Sequence, residues 1–173
     1  MISRRVLLRG MAAAAVASPL SWAFGSVPPD KTLRLYNAHT EETLDVTYYR
    51  NGSYDFEALG KINYLMRCHY TGELKPIDVR VLDLLCGITD SLGRDGQIEI
   101  ISGYRSFTYN EYLRTRSRNV ARDSYHMKGL AVDFTVSGIR NNALARTARS
   151  FNAGGVGEYR EFVHIDVGPV RSW

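Results

Sequence analysis

Ser124-Tyr-His-Met-Lys-Gly-Leu-Ala-Val-Asp133 runs directly into Phe134-Thr-Val136, and its reading decides the fold. Leu130 to Val136 is short, apolar and partly β-branched, the composition of a strand. Asp133 lies inside it. An aspartate is disfavoured in strands, and among apolar neighbours its carboxylate needs a partner. A metal cation is one such partner. His126 stands just before the strand, and Gly129 between them tolerates the tight turn that would bring the two side chains together. Ala131 is small enough to leave room beside them. A capping histidine and a hydrogen-bonded strand aspartate are the plainer alternative.

Further along, Phe162-Val-His-Ile-Asp-Val167 alternates. His164 and Asp166 are two apart and share one face, leaving Val163, Ile165 and Val167 for the other. An edge strand with a polar outer face would show the same pattern. Taken with the first stretch, His126, Asp133 and His164 form the smallest protein ligand set for a catalytic Zn2+, with a fourth position open for water. The chain is therefore read as α+β. A small antiparallel sheet carries the metal site, and helices pack on its other side.

The remaining elements fit that layout. Thr32–Tyr36 and Thr43–Tyr49 alternate as a β-hairpin around a turn over Asn37–Glu42, and Asn51-Gly52 closes it. His39 falls in the turn, where an exposed side chain is the default. Asp55 caps a helix reaching about Tyr70, with Leu59, Ile62, Leu65 and Met66 on one face and His69 near its end. Pro76 opens a second helix to about Leu92. A turn over Gly93–Gly96 precedes a strand, Gln97–Ile101. Tyr109–Ser117 and Asn141–Phe151 are read as further helices, and Gly168-Pro169 stops the last strand.

The first 25 residues do not belong to this domain, which is placed at 26–173. They carry Arg4-Arg5 after Ser3, a short apolar run from Met11 to Ala17, and Ser21-Trp-Ala23. That is the layout of an export signal of twin-arginine type, and it places the protein in the periplasm. The apolar run is too short for a good membrane span. Three of the 22 lysines and arginines lie in this segment, leaving 19 against 18 acidic residues. So balanced a domain gives no case for nucleic acid. The 45% hydrophobic content suffices for one core. A monomer is expected. Cys68 and Cys86 sit in apolar patterns and are read as buried thiols or one disulfide.

Four motifs in order carry a resemblance: Ser102-Gly-Tyr-Arg-Ser106, Ser-x-His126-x-x-Gly-x-Ala-x-Asp133, Gly154-Gly-Val-Gly157 and Phe162-Val-His-Ile-Asp-x-Gly-Pro-x-Arg-x-Trp173. The chain resembles, over essentially its whole length, the peptidoglycan-cleaving zinc metallopeptidases of the LAS group. That group includes lysostaphin-type enzymes, D-Ala-D-Ala metallopeptidases and the Sonic hedgehog fold. The resemblance implies that His126, Asp133 and His164 hold zinc. It also implies a murein endopeptidase that cuts meso-diaminopimelyl cross-links, with 3-3 links preferred in its nearest members.

Such hydrolysis needs a carboxylate to move the water's proton. Asp166 stands where the group has an aspartate. Glu161 stands three residues before His164, like the glutamate of the D-Ala-D-Ala dipeptidases. The chain is short between Gly157 and Phe162, which favours Asp166 as base or as orienter of His164. Arg105 suits a substrate carboxylate or a developing oxyanion. Tyr104 is a core edge or a hydroxyl donor, Ser124 a cap or a partner near His126, and Tyr125 a cleft residue. Arg114, Arg116, Arg118 and Arg122 read as a solvated face. Two other readings share these residues: a D,D-carboxypeptidase or dipeptidase acting on stem peptides, and a non-catalytic wall-binding module with structural zinc.

Overall fold

The computed structural model describes residues 29–93 and 96–173. The export-signal reading over 1–25 lies outside the described residues.

Eight strands form one sheet in the order β3-β2-β1-β4-β5-β7-β6-β8. The hairpin is β1 (Lys31–Asn37) with β2 (Thr43–Arg50). Asn51, at positive φ, and Gly52 turn the chain back into β3 (Ser53–Tyr54), so the sequence that was to close the hairpin adds a strand to it. β4 (Ile98–Ser102) lies parallel to β1, and β5 (Ala131–Val136) runs antiparallel to β4. β6 (Gly155–Glu158) and β7 (Val163–Asp166) form a second hairpin, with β7 beside β5, and β8 (Arg171–Ser172) lies parallel to β6. The fold is α+β as read. The sheet is larger than expected, and two of its seven pairings are parallel.

Leu33, Leu35, Ile98, Ile100, Val132, Phe134, Val163 and Ile165 pack in one buried cluster with residues of three helices, α1 (Phe56–Leu65), α2 (Val79–Ser91) and α4 (Asn141–Ser150). The period of two sends Asp133 and His164 to the opposite face. Helices and metal candidates thus occupy opposite sides of the central strands. Asp83 on α2 fastens the helix to the hairpin, taking the hydroxyls of Tyr48 (3.0 Å) and Tyr54 (2.8 Å) and the ammonium of Lys31 (2.8 Å).

Helix boundaries depart from expectation for visible reasons. α1 is capped by Asp55 but stops at Leu65, short of Tyr70. The Leu65 carbonyl is taken by Asn37 Nδ2 (2.7 Å) and that of Met66 by the Tyr104 N–H (2.8 Å). His69 therefore lies beyond the helix end and stacks on His39, ring centroids 3.7 Å apart. α2 begins at Val79, not Pro76, because Asp78 caps it while Asn63 Oδ1 holds the Ile77 N–H. α3 (Phe107–Arg116) starts two residues early, where Ser106 Oγ accepts from the Tyr109 N–H. Cys68 and Cys86 are both buried and free, one beside Ser106 Oγ and the other beside Asp90 and Thr32. No described helix is long and apolar enough to cross a membrane.

Candidate metal centre and its cleft

β4 and β5 converge on the site through an irregularity in register between Ile100 and Ser102. Beyond it, Gly103 lies so close to Met66 that a Cβ would sit 2.5 Å from the Met66 carbonyl oxygen. Its own carbonyl accepts a hydrogen bond from His126 Nδ1 (2.9 Å). His126 is carried on a single 3-10 turn, Tyr125–Lys128, that ends at Gly129 with φ +70°. A side chain at 129 would strike the Pro76 carbonyl, at 2.2 Å from Cβ, so this glycine is required for both its backbone conformation and its space.

Asp133 and His164 face each other directly across β5 and β7. The pairing brings three donor atoms together. His126 Nε2 is 3.2 Å from Asp133 Oδ1 and 3.2 Å from His164 Nδ1, and His164 Nδ1 is 2.7 Å from Asp133 Oδ1. Ligands about 2.0–2.1 Å from a tetrahedral zinc lie roughly 3.3 Å from one another, so the triangle fits one small ion with little movement. Among the described residues these three are the group of His, Cys, Asp and Glu side chains placed to share a metal.

Each imidazole has its other nitrogen committed. His126 Nδ1–H donates to Gly103, which leaves the Nε2 lone pair facing the other two donors. His164 Nε2–H donates to Asp166 Oδ2 (3.1 Å), which aims Nδ1 into the triangle. Burial holds the His126 pKa below its ordinary value. Burial acts the same way on His164, but the carboxylates of Asp133 and Asp166 outweigh it and raise that ring to about 9. Burial pushes Asp133 up, and the facing histidines, His126 foremost, overcome it and hold the carboxyl well below its usual range.

Asp166 is fully buried. Its Oδ1 accepts from the N–H groups of Gly155 (3.2 Å) and Gly168 (2.8 Å) and from Arg171 Nη1 (3.0 Å). Its Oδ2 accepts from Arg171 Nη2 (2.6 Å) and His164. Against the cost of burial, His164, Arg171 and the Gly168 N–H keep it ionised. Glu161 is elsewhere. It sits in the β6–β7 turn closed by the Tyr159 N–H to the Phe162 carbonyl, and its exposed carboxylate pairs with Arg160 (2.7 Å).

The triangle opens into a cleft of about 400 Å³. Arg105 lines it, largely buried, with Nη2 3.6 Å from Asp133 Oδ2. Its Nε is buried and has no hydrogen-bond partner among the described residues. Ser124 and Tyr125 line the same cleft, but Ser124 makes no side-chain cap bond. Tyr104 packs against the core and is not part of the cleft wall. Of the arginine group, Arg114 pairs with Glu111 and Arg116 lies over the Tyr112 ring.

The cleft is also lined by residues that sequence reasoning left without a role: Tyr159, Phe162, Arg171 and Trp173. Tyr159 and Phe162 stack at 4.6 Å, and the Trp173 ring lies 5.4 Å from that of His164. The signal for Arg171 and Trp173 was their place after Gly168-Pro169, where the strand was read as finished.

Over residues 26–173 the chain matches the family described as peptidoglycan L,D-endopeptidase MepK. It is 40% identical, over 176 residues, to the peptidoglycan L,D-endopeptidase MepK of Escherichia coli (strain K12), covering 99% of this chain and 97% of that protein. It is 37% identical, over 154 residues, to the probable peptidoglycan L,D-endopeptidase MepK of Haemophilus influenzae, covering 87% and 83% respectively.

Proposed function

The chain belongs to the peptidoglycan L,D-endopeptidase MepK family of peptidases, and from that footing we propose that it is a zinc-dependent endopeptidase of peptidoglycan cross-links. The bonds cut are meso-diaminopimelyl links, with the 3-3 type preferred, and the protein works in the periplasm after export. The observation that carries the zinc reading is the donor triangle of His126, Asp133 and His164 with both imidazole tautomers fixed. Zinc bound there would lower the pKa of a water in its open position and polarise the scissile carbonyl.

The chain's own residues supply the rest. Gly103 and Asp166 hold the two imidazoles with lone pairs turned inward. Asp166, with five hydrogen-bond contacts on its two oxygens, serves as the orienting carboxylate of His164. Glu161 plays no part, being held by Arg160 in an exposed turn. Arg105, whose guanidinium lines the cleft beside Asp133, is suited to a substrate carboxylate or to the carbonyl oxygen as it gains charge.

Incubating the full chain with purified 3-3 and 4-3 cross-linked muropeptide dimers tests the proposal. Release of monomers, faster from 3-3 dimers, abolished by a chelator and restored by zinc, is the expected result. Loss of terminal D-Ala alone would establish the carboxypeptidase reading instead. Sacculi that bind the protein and stay intact would establish a binding module.

A further inference from the structure

Asp166 has His164 on one side and Arg171 on the other. We propose that Arg171 is a positioning residue: it fixes the Asp166 carboxylate that orients His164, and it carries Trp173 into place as a wall of the cleft. Its part in cleavage rests on the zinc-peptidase reading, whereas its effect on metal affinity rests on zinc binding at the triangle alone.

The contact is a two-pronged one, Nη1 to Oδ1 at 3.0 Å and Nη2 to Oδ2 at 2.6 Å. Oδ1 is already occupied by two backbone N–H groups, so the fork decides where Oδ2 points, and Oδ2 is what His164 Nε2–H meets. A lysine would bring the charge without the fork or the plane. The plane is used: the guanidinium carbon lies 5.2 Å from the Tyr125 ring centre and 5.0 Å from that of Trp173. Trp173 is held at its far side by Nε1–H to the Tyr159 hydroxyl (2.8 Å).

Three glycines clear the space. A Cβ on Gly155 would fall 2.4 Å from Asp166 Oδ2 and 2.5 Å from Arg171 Nη1. One on Gly157 would fall 2.7 Å from the Trp173 ring, and one on Gly168 2.5 Å from that of Tyr125. An incidental surface ion pair adds little and requires no such room. This pair has its carboxylate wholly buried and one metal candidate on its far side.

The test is a double-mutant cycle in the full chain with Arg171→Lys, Asp166→Asn and both. Zinc dissociation constants come from competition with a chromophoric chelator, and kcat and KM from cross-linked muropeptide dimers. Each single change is expected to weaken zinc binding by about tenfold or more and to lower kcat. The double variant should bind zinc no more weakly than Asp166→Asn alone, because Arg171 acts through Asp166. Trp173→Phe should raise KM and leave zinc affinity unchanged. Additive losses in the cycle, or an Arg171→Lys protein with lowered melting temperature and wild-type zinc affinity, would overturn the positioning role. An unchanged KM in Trp173→Phe would overturn the wall. A wild-type chain that binds zinc and cleaves no dimer would sink the peptidase reading alone, and the zinc cycle would still decide Arg171.

Discussion

His164 has a carboxylate on each ring nitrogen, Asp133 on Nδ1 and Asp166 on Nε2. A proton is therefore held there more tightly than in an unfolded chain, with a pKa of about 9 against an ordinary ~6.5. The sign follows from linkage. In zinc-free protein this group's contribution to stability is fully present below about pH 6.5 and fades as pH rises through 9. Melting temperatures of the zinc-free chain should show that fall across the window, and His164→Gln should lose it. Since zinc needs the neutral ring, binding displaces this proton, and apparent zinc affinity should climb between pH 6.5 and 9. Competition titrations at three pH values would check it. A second prediction at this scale separates the two carboxylates. Glu161→Gln, on an exposed turn, should leave kcat/KM within roughly twofold, while Asp166→Asn should lose cleavage in the same assay. Asp133 was legible as a carboxylate inside an apolar strand, which demands a partner; His126, outside any strand, and His164, on an alternating strand that also suits a polar outer face, were drawn to it by the ligand set they complete and by the resemblance. Asp166 was legible as base or as orienter of His164, but what holds its carboxylate was not. Its carboxylate is gripped by Arg171, and an arginine five residues further along gives no local sign of turning back.

At the scale of elements, β6 has glycines at 155 and 157, where Asp166, Arg171 and Trp173 press against its backbone. Gly155→Ala forces a methyl against Asp166 and Arg171. The overpacking should cost about 1–3 kcal/mol in denaturant unfolding, with zinc affinity falling at the same time. A loss of stability with zinc binding intact would mean that the contact relaxes elsewhere. Asp55→Ala removes the cap of α1, whose carboxylate accepts from Glu57 and Ala58. It should cost about 1 kcal/mol without touching the site. Strands and helices were legible in kind and order because their periods are local. Their ends were not: α1 stops where Asn37 and Tyr104 claim its last carbonyls, and both partners lie far away in sequence. The two-residue strands β3 and β8 escaped for a related reason, being too short to show a period.

Across the whole molecule, the helical layer and the candidate ligands lie on opposite faces of β5 and β7, so a core side chain on a helix can be shortened without touching a donor. Leu85 on α2 is fully buried in the core. Leu85→Ala should destabilise by about 2–5 kcal/mol in chemical denaturation. Zinc affinity of the folded fraction should stay unchanged, since no donor is moved. The parallel pairing of β1 with β4 was not visible in the residues, because it depends on α1 and α2 intervening and on where the chain returns. The separation of an apolar face from a polar one was visible, and it is what set the candidate ligands on one side of the sheet.

The facing of Asp133 and His164 across β5 and β7 has one more consequence. A slip of one residue between these strands would turn one of the two side chains to the opposite face. Retention of zinc, where the triangle binds it, would therefore be a proofreading mark for strand alignment. Chains paired out of step would come off a zinc-exchange column in the unbound fraction, and those retained would be the ones whose central strands had found their proper partners.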